Sequence, residues 1–494
     1  DLEASCLNNL SFPTTGEVHG LVIPIEFTDY PFSQSAYGSD YLSAINRAFN
    51  GNGKTDTGYW ESVASYYSKS SLGKLNFSFD IAPVYASGKA TSDILASYGE
   101  YSGSLFMGSS ALNDYVKNHG ADSTQKFDGD KDGYIDGVWF VYSAPDYASG
   151  AYNAYPSSMS LFWAFCTDSL GYEANLASPA LHSFGWASID FLSKQTSAPK
   201  VSAHTFIHET GHLLSLPDYY SYDRTGASSS GPLGGLAMMD LNIGDQDSFS
   251  KIALGWADPY VVTDSCTITI KPNESSGDAI LLADRWNGTA FDEYLLLDLQ
   301  TPTGVNQSDS LASYNFRPTY YSVPGVRMLH VDSRVGKFQY LNAAESGSNA
   351  GIFCIPDSQT GEYYLPDEKV EALVAKGPLG KLSKDLALSQ KDRTPGYTVI
   401  NCNSPSRAKV AAAPYNANSE LSLIGADNVN CLIDDASGSN DSLFEAGSSW
   451  SLAKRDIYYF SSSNGCLNNG NALPYVISVL ACDQNSATIQ FRKY

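Results

Sequence analysis

The sequence predicts an α+β domain over residues 1–262, followed by an all-β sandwich over residues 263–494. Three observations carry this expectation. Before Pro259, apolar runs of strand length alternate with helically spaced stretches. Beyond it come short alternating segments parted by turn residues, and helical periodicity becomes scarce outside residues 369–375. A chain of 494 residues also exceeds what one compact core accommodates.

The elements follow in order. Residues 20–27, Gly-Leu-Val-Ile-Pro-Ile-Glu-Phe, read as a buried strand closed by a turn at 28–30. Residues 41–49 have helical spacing and stop at Gly51-Asn52-Gly53; a second helical stretch, 59–69, closes at 70–73. Residues 75–81 alternate as a strand, 136–142 form another, and a loop rich in Ser, Ala and Tyr follows. Residues 203–215 are expected to be a helix. In the second half, 266–270, 294–299, 325–331, 475–480 and 487–492 read as strands, with loop-rich insertions between roughly 333 and 425.

Composition narrows the function. There are 53 acidic and 30 basic residues, a formal net charge of −23, which argues against a nucleic-acid partner because phosphate binding needs clustered Lys and Arg. No apolar run approaches a membrane span. The 33 tyrosines and the low charged fraction suit an extracellular β-rich protein. The chain starts at Asp1, as expected where a leader has been removed or trimmed. Eight cysteines, none in a C-x-x-C pair, make cysteine-ligated zinc and thioredoxin-like chemistry unlikely choices. Six of them follow residue 260, so an oxidising compartment would concentrate disulfides there, with a pairing that spacing alone does not give.

The most informative segment is His208-Glu209-Thr210-Gly211-His212. Four positions apart on a helix, His208 and His212 project from one face and can share one Zn²⁺. Glu209 lies beside them, where its carboxylate can take a proton from an activated water and pass it to a leaving amine. A catalytic zinc needs a third protein ligand and an open position. Asp218 is the candidate, because Pro217 ends the helix and forces the chain to turn back. His204, one turn earlier, is expected to be packed or surface-exposed rather than a ligand, and His19, His119 and His182 have no partner pattern.

Read together with Met238-Met239-Asp240, the stretch from His208 to Asp218 resembles the metzincin clan of zinc peptidases. Within that clan it is similar to the immune inhibitor A family, peptidase family M6, whose third ligand is Asp. The similarity continues through Leu216-Pro217-Asp218-Tyr219-Tyr220, residues 234–240, Ser250-Lys251, Leu254-Gly255-Trp256 and Pro259. Further segments, at 293–297, 328–332 and 442–447, extend it over most of the chain. The resemblance implies a metzincin-like zinc peptidase domain followed by a β-sandwich. It also implies a methionine turn at Met239 or Met238 beneath the metal, and a secreted, bacterial source. By it, His330 is structural. One departure stands out: metzincins carry Gly at the turn between the second and third ligands, and here Ser215 occupies that place, at a cost of ~1 kcal/mol if φ is positive.

A second acidic motif, Asp128-Gly-Asp130-Lys-Asp132-Gly133-Tyr134-Ile-Asp136, spaces carboxylates as calcium loops do, with Tyr134 able to offer a backbone carbonyl. Trp139 stands where an EF-hand would close with Glu, so a shorter loop leading into a strand is expected. The functional expectation is a secreted zinc endopeptidase acting on protein or peptide substrates, with Zn²⁺ and a candidate Ca²⁺. The alternative is an inactive, metal-holding homologue that serves as a secreted binding protein or adhesin, and the intact Glu209 speaks against it. An amidase or glycan-directed esterase would share the same ligands.

Overall fold

The computed structural model describes residues 12–98, 100–152, 161–168, 172–214, 216, 218–220, 231–283, 286, 293–315, 317–332, 338–340, 352–354, 421–434, 436–454, 466–467 and 472–494. It is a mixed α/β protein with several sheets. Two compact units divide it, one built on residues 10–69 and 73–215, the other chiefly on 216–494.

The first unit is organised around strand β1 (Gly16–Glu26), whose residues from Gly20 to Ile25 are all buried. Burial on both faces explains the uninterrupted apolar run, since a strand covered on one side only would alternate. β1 lies parallel to β2 (Leu75–Ile81), to the short β3 (Tyr85–Ala86) and to β4 (Val138–Tyr142). β4 in turn runs parallel to β6 (Ser183–Ser188), and β5 (Phe165–Asp168) adds an antiparallel edge, giving the order β2-β1-β4-β6-β5.

Helices cover both faces. α1 (Tyr41–Asn50) buries Ala44, Ile45, Ala48 and Phe49, a one-sided stripe that ends in Phe49. The Phe49 ring meets Phe79 of β2 at 5.0 Å, Trp139 of β4 at 5.6 Å and Phe206 at 5.4 Å. On the opposite face lies α3 (Glu100–His119), later in the chain than α2 (Val63–Ser70). Its Met107, Ala111 and Leu112 join a core with Leu21, Ile23, Phe140 and Trp186. Adjacent strand residues point to opposite faces, so Trp139 packs toward α1 while Phe140 packs toward α3. The buried positions of α3, Gly103, Ser104, Met107, Gly108, Ala111 and Leu112, fall on one helical face, but half of them are Gly or Ser and dilute the apolar stripe. Its closest approach to the sheet is made by Gly108, where a Cβ would come within 2.5 Å of the Phe140 ring, and such small-residue contacts do not register as amphipathicity.

The second unit holds two larger sheets. β7 (Tyr260–Val262), β9 (Ala279–Leu282), β10 (Glu293–Gln300), β11 (Gly325–Asp332) and β14 (Leu421–Leu423) form one, in the order β14-β11-β10-β9-β7, antiparallel except where β7 runs parallel to β9. The other is wholly antiparallel, β15-β16-β17-β8, built from β8 (Cys266–Ile270), β15 (Ser449–Trp450), β16 (Tyr475–Cys482) and β17 (Ala487–Lys493). One hydrophobic cluster takes side chains from both sheets, among them Leu295, Leu297, Met328, Ile477, Ile489 and Phe491. A separate pair, β12 (Phe338–Tyr340) and β13 (Ile352–Cys354), completes the described strands. The expected helical stretch 369–375 and most of the insertions from 333 to 425 lie outside the described residues.

The expected boundary at 262/263 differs from the division of the units at 215/216. Residues between them are tied to the second unit by long-range bonds. The Gly244 and Asp245 amides donate to Asp309 and Asn306 at 2.6 and 2.9 Å, and the Lys251 ammonium donates to the Asn273 carbonyl at 3.1 Å. Lys251 is fully buried and pairs with Asp245 at 2.5 Å, so this segment is a packed part of that unit.

Candidate metal centre

The metal motif lies on α4 (His204–Leu213), of which every residue except His212 is buried. The helix is held from several sides. The Tyr67 hydroxyl donates to the Ile207 carbonyl at 2.7 Å, the Cys166 thiol to the Glu209 carbonyl at 2.9 Å, and the Phe12 amide to the Leu213 carbonyl at 2.9 Å. The helix stops at Leu214, whose amide bonds Thr210 and Gly211. Ser215 and Pro217, expected at the turn, lie outside the described residues.

His208, His212 and Asp218 each offer one ligand atom, and these atoms lie within 4.8 Å of one another. His208 and Asp218 are buried, and His212 is half-buried. The two imidazole rings stand 4.9 Å apart and almost perpendicular, at 88°. The Glu209 carboxylate reaches to 3.9 Å from His212 Nε2 and is itself buried. Two imidazoles and one carboxylate form a donor set suited to zinc with a position left for substrate.

Asp218 is followed by a residue the sequence reading gave no role. The Tyr219 amide donates to the Met239 carbonyl at 2.9 Å, which ties the segment carrying Asp218 to α5 (Met238–Leu241). The Tyr219 hydroxyl meets Ser250 Oγ at 2.6 Å, and Ser250 Oγ donates to Asp247 Oδ2 at 2.6 Å. Because an ionised carboxylate only accepts, the chain of donors runs from Tyr219 to Ser250 to Asp247. Asp247 also caps α6 (Ser248–Ala253) by accepting the Ser250 amide at 3.0 Å. The Asp-Ser-Phe-Ser capping pattern was the only signal of this network in the sequence.

Met238 and Met239 are both fully buried. Next to them the Asp240 carboxylate accepts the Leu233 and Gly235 amides through Oδ2 at 3.1 and 2.8 Å. Burial pushes its carboxyl up to about 7 against those two amides, and the charges of Asp247 and Asp218 add to the rise. Its Oδ1 presses against Gly231, where a Cβ would come within 1.3 Å, so only glycine fits there.

The other histidines are packed or paired. His204 is fully buried and stacks on Trp60 at 3.9 Å with Ser202 Oγ at 3.0 Å from its Nδ1. His330 and Glu293, both fully buried, meet at 3.0 Å across β10 and β11.

In the acidic loop, Asp128, Asp130 and Asp136 bring ligand atoms within 4.8 Å of one another. Asp132 stands outside that group; its Oδ1 accepts the Tyr134 amide at 2.8 Å. Tyr134 lies in a bridge with Ala180. Asp128 accepts the amides of Asp132 and Gly133, which curls the loop, with Lys131 at φ 61° and Gly133 at φ 90°. Burial pushes the Asp136 carboxyl up to about 7, the Gly129 amide opposes it, and the neighbouring aspartates add to it. Burial likewise raises Asp130 and Asp132.

Cys266, Cys431 and Cys482 are free thiols. Cys6 and Cys402, and the side chain of Cys354, lie outside the described residues. Among the described residues no helix is long and apolar enough to cross a membrane. No protein-family model matches the chain, and no curated protein matches it.

Proposed function

We propose that the chain is a secreted zinc-dependent endopeptidase of the metzincin type, similar to the immune inhibitor A family. The observation that carries the reading is the convergence of His208, His212 and Asp218 with the Glu209 carboxylate beside them. His208, His212 and Asp218 would hold the ion. Zinc, when bound, supplies a Lewis acid that brings the pKa of a water down to about 7. Glu209 is the general base: it accepts a proton from the attacking water and returns it to the leaving amine. Burial of Glu209 keeps solvent from competing for that proton, and the Cys166 thiol on its carbonyl fixes its helical turn. Met239 supports the site from beneath as a buried methionine turn, joined to the segment carrying Asp218 through Tyr219.

The two sheets that share one core support reading the C-terminal part as a β-sandwich. The loop from Asp128 to Asp136 is proposed to take Ca²⁺ through Asp128, Asp130 and Asp136.

Bound zinc and casein cleavage, measured for the native chain and for Glu209→Ala, test the reading. Native protein that holds zinc and cleaves casein, beside a variant that holds zinc and is inert, supports it. Native protein that holds zinc yet cleaves no protein substrate sinks the endopeptidase reading in favour of a metal-holding binding protein. Equal cleavage by both forms removes Glu209 as the base.

A further inference from the structure

A cavity of about 370 Å³ in the second unit gathers aromatic rings and a cation; Val261, Thr263, Trp286, Pro474, Tyr475 and Lys493 are among its lining residues. Tyr475 opens β16 and Lys493 closes β17, and the two are direct cross-strand partners. This register sets the Lys493 ammonium 5.7 Å from the centre of the Tyr475 ring. The Lys493 amide donates to Ser265 Oγ at 3.0 Å, which holds the strand end while the side chain stays exposed. Tyr475 lines the cavity, although most of its surface is buried. Val261 remains 37% exposed, a large apolar residue left facing outward at this site. In a chain of net charge −23, Lys493 has no carboxylate within ion-pair distance among the described residues.

We propose that this cavity binds a carboxylated sugar, a uronate unit of an anionic polysaccharide. The C–H face of a pyranose packs on an aromatic ring, which Trp286 supplies, with Tyr475 in the wall beside the ammonium. Its carboxylate meets the Lys493 ammonium in a charge-assisted hydrogen bond, and the Thr263 hydroxyl can serve either as donor or as acceptor to a ring hydroxyl. The volume stands at the small end of ligand sites, ~300–1,000 Å³, which fits ring-sized units rather than a helix or a folded partner. An acidic peptide would match the ammonium but brings no saturated ring to the Trp286 wall. A neutral sugar would match the walls and leave the ammonium without a counter-charge. The inference is independent of the peptidase reading, since none of these residues belongs to the metal centre.

Isothermal titration of the full chain with a galacturonate trimer, the neutral galactose trimer and an Asp/Glu tripeptide decides it. The uronate is expected to bind saturably and at least about tenfold more tightly than the other two, a gap of ~1.4 kcal/mol. Lys493→Gln, an exposed site that the fold does not depend on, should weaken uronate binding about tenfold and bring it level with the neutral trimer. Trp286→Ala should weaken both sugars together. The absence of saturable uronate binding, equal affinity for the neutral trimer, or an undiminished affinity in Lys493→Gln would overturn the proposal. Tighter binding of the tripeptide would reassign the cavity to acidic peptides.

Discussion

Replacing Arg327 by methionine should be among the most damaging single changes in the second unit. Arg327 on β11 stands directly opposite Asp298 on β10. Its Nε and Nη2 donate to the two carboxylate oxygens at 3.1 and 2.7 Å, with the arginine 2% exposed and the aspartate 0%. Gln300 adds one bond to Asp298 Oδ1 at 2.8 Å. Methionine keeps much of the side-chain volume but withdraws two of those three bonds and the guanidinium charge that Asp298 pairs with. Removing one member of a buried pair costs ~3–5 kcal/mol, because the survivor is left charged and unpaired in an apolar core. Replacing both, as in Arg327→Met with Asp298→Leu, should recover most of that loss, since an apolar pair has no desolvation penalty. The assay is urea unfolding at pH 7 followed by tryptophan emission. A single-variant loss below ~1 kcal/mol, or a double variant as damaged as the single, would refute the reasoning.

Three further outcomes are expected. In calcium-free buffer the Asp136 carboxyl, held up to about 7 in the fold, gives stability that is full below about 4 and is lost as pH rises through about 7. Melting temperature should therefore fall across that window, calcium should restore it, and Asp136→Asn should abolish both effects; a calcium-insensitive midpoint would remove the ion from the loop. Tyr219→Phe removes the bond to Ser250 and should lower zinc affinity about tenfold in chelator competition, with Ser250→Ala producing the same change and no additive effect in the double variant. Phe49→Ala should cost ~3–5 kcal/mol in denaturant unfolding, because that ring fills the space between β2, β4 and α4.

What the sequence disclosed depends on how local each cause is. The helix that carries the two histidines, expected over 203–215 and found as His204–Leu213, is set by its own residues. Strands such as β2, β8 and β17 fall within a residue of their expected ends because period-two alternation is also local. Parallel pairing of β1 with β2 and β4 is not local: the register Gly20↔Phe79 joins residues almost sixty positions apart, and no short pattern encodes it. The helix α3 was hidden for another reason, since Gly103, Ser104 and Gly108 share its buried face with Met107, Ala111 and Leu112 and dilute the apolar stripe. At the site, His208, Glu209 and His212 were legible from helical geometry. The Tyr219–Ser250–Asp247 chain was not, because its partners are neighbours only after folding. In the acidic loop, spacing suggested four carboxylates; Asp128, Asp130 and Asp136 bring ligand atoms together, and Asp132 Oδ1 accepts the Tyr134 amide.

The near-complete burial of α4 bears on how the ion could come and go. Nine of its ten residues are shielded, and packing around Phe206 and the Tyr67 and Cys166 bonds fix the helix without any ion. Stripping the metal would leave the two imidazoles where they stand. Exchange would then be a matter of diffusion and ligand substitution rather than of refolding. Once the proposed zinc has been removed by a chelator, added cobalt should accordingly colour the protein on mixing, with no slow refolding phase.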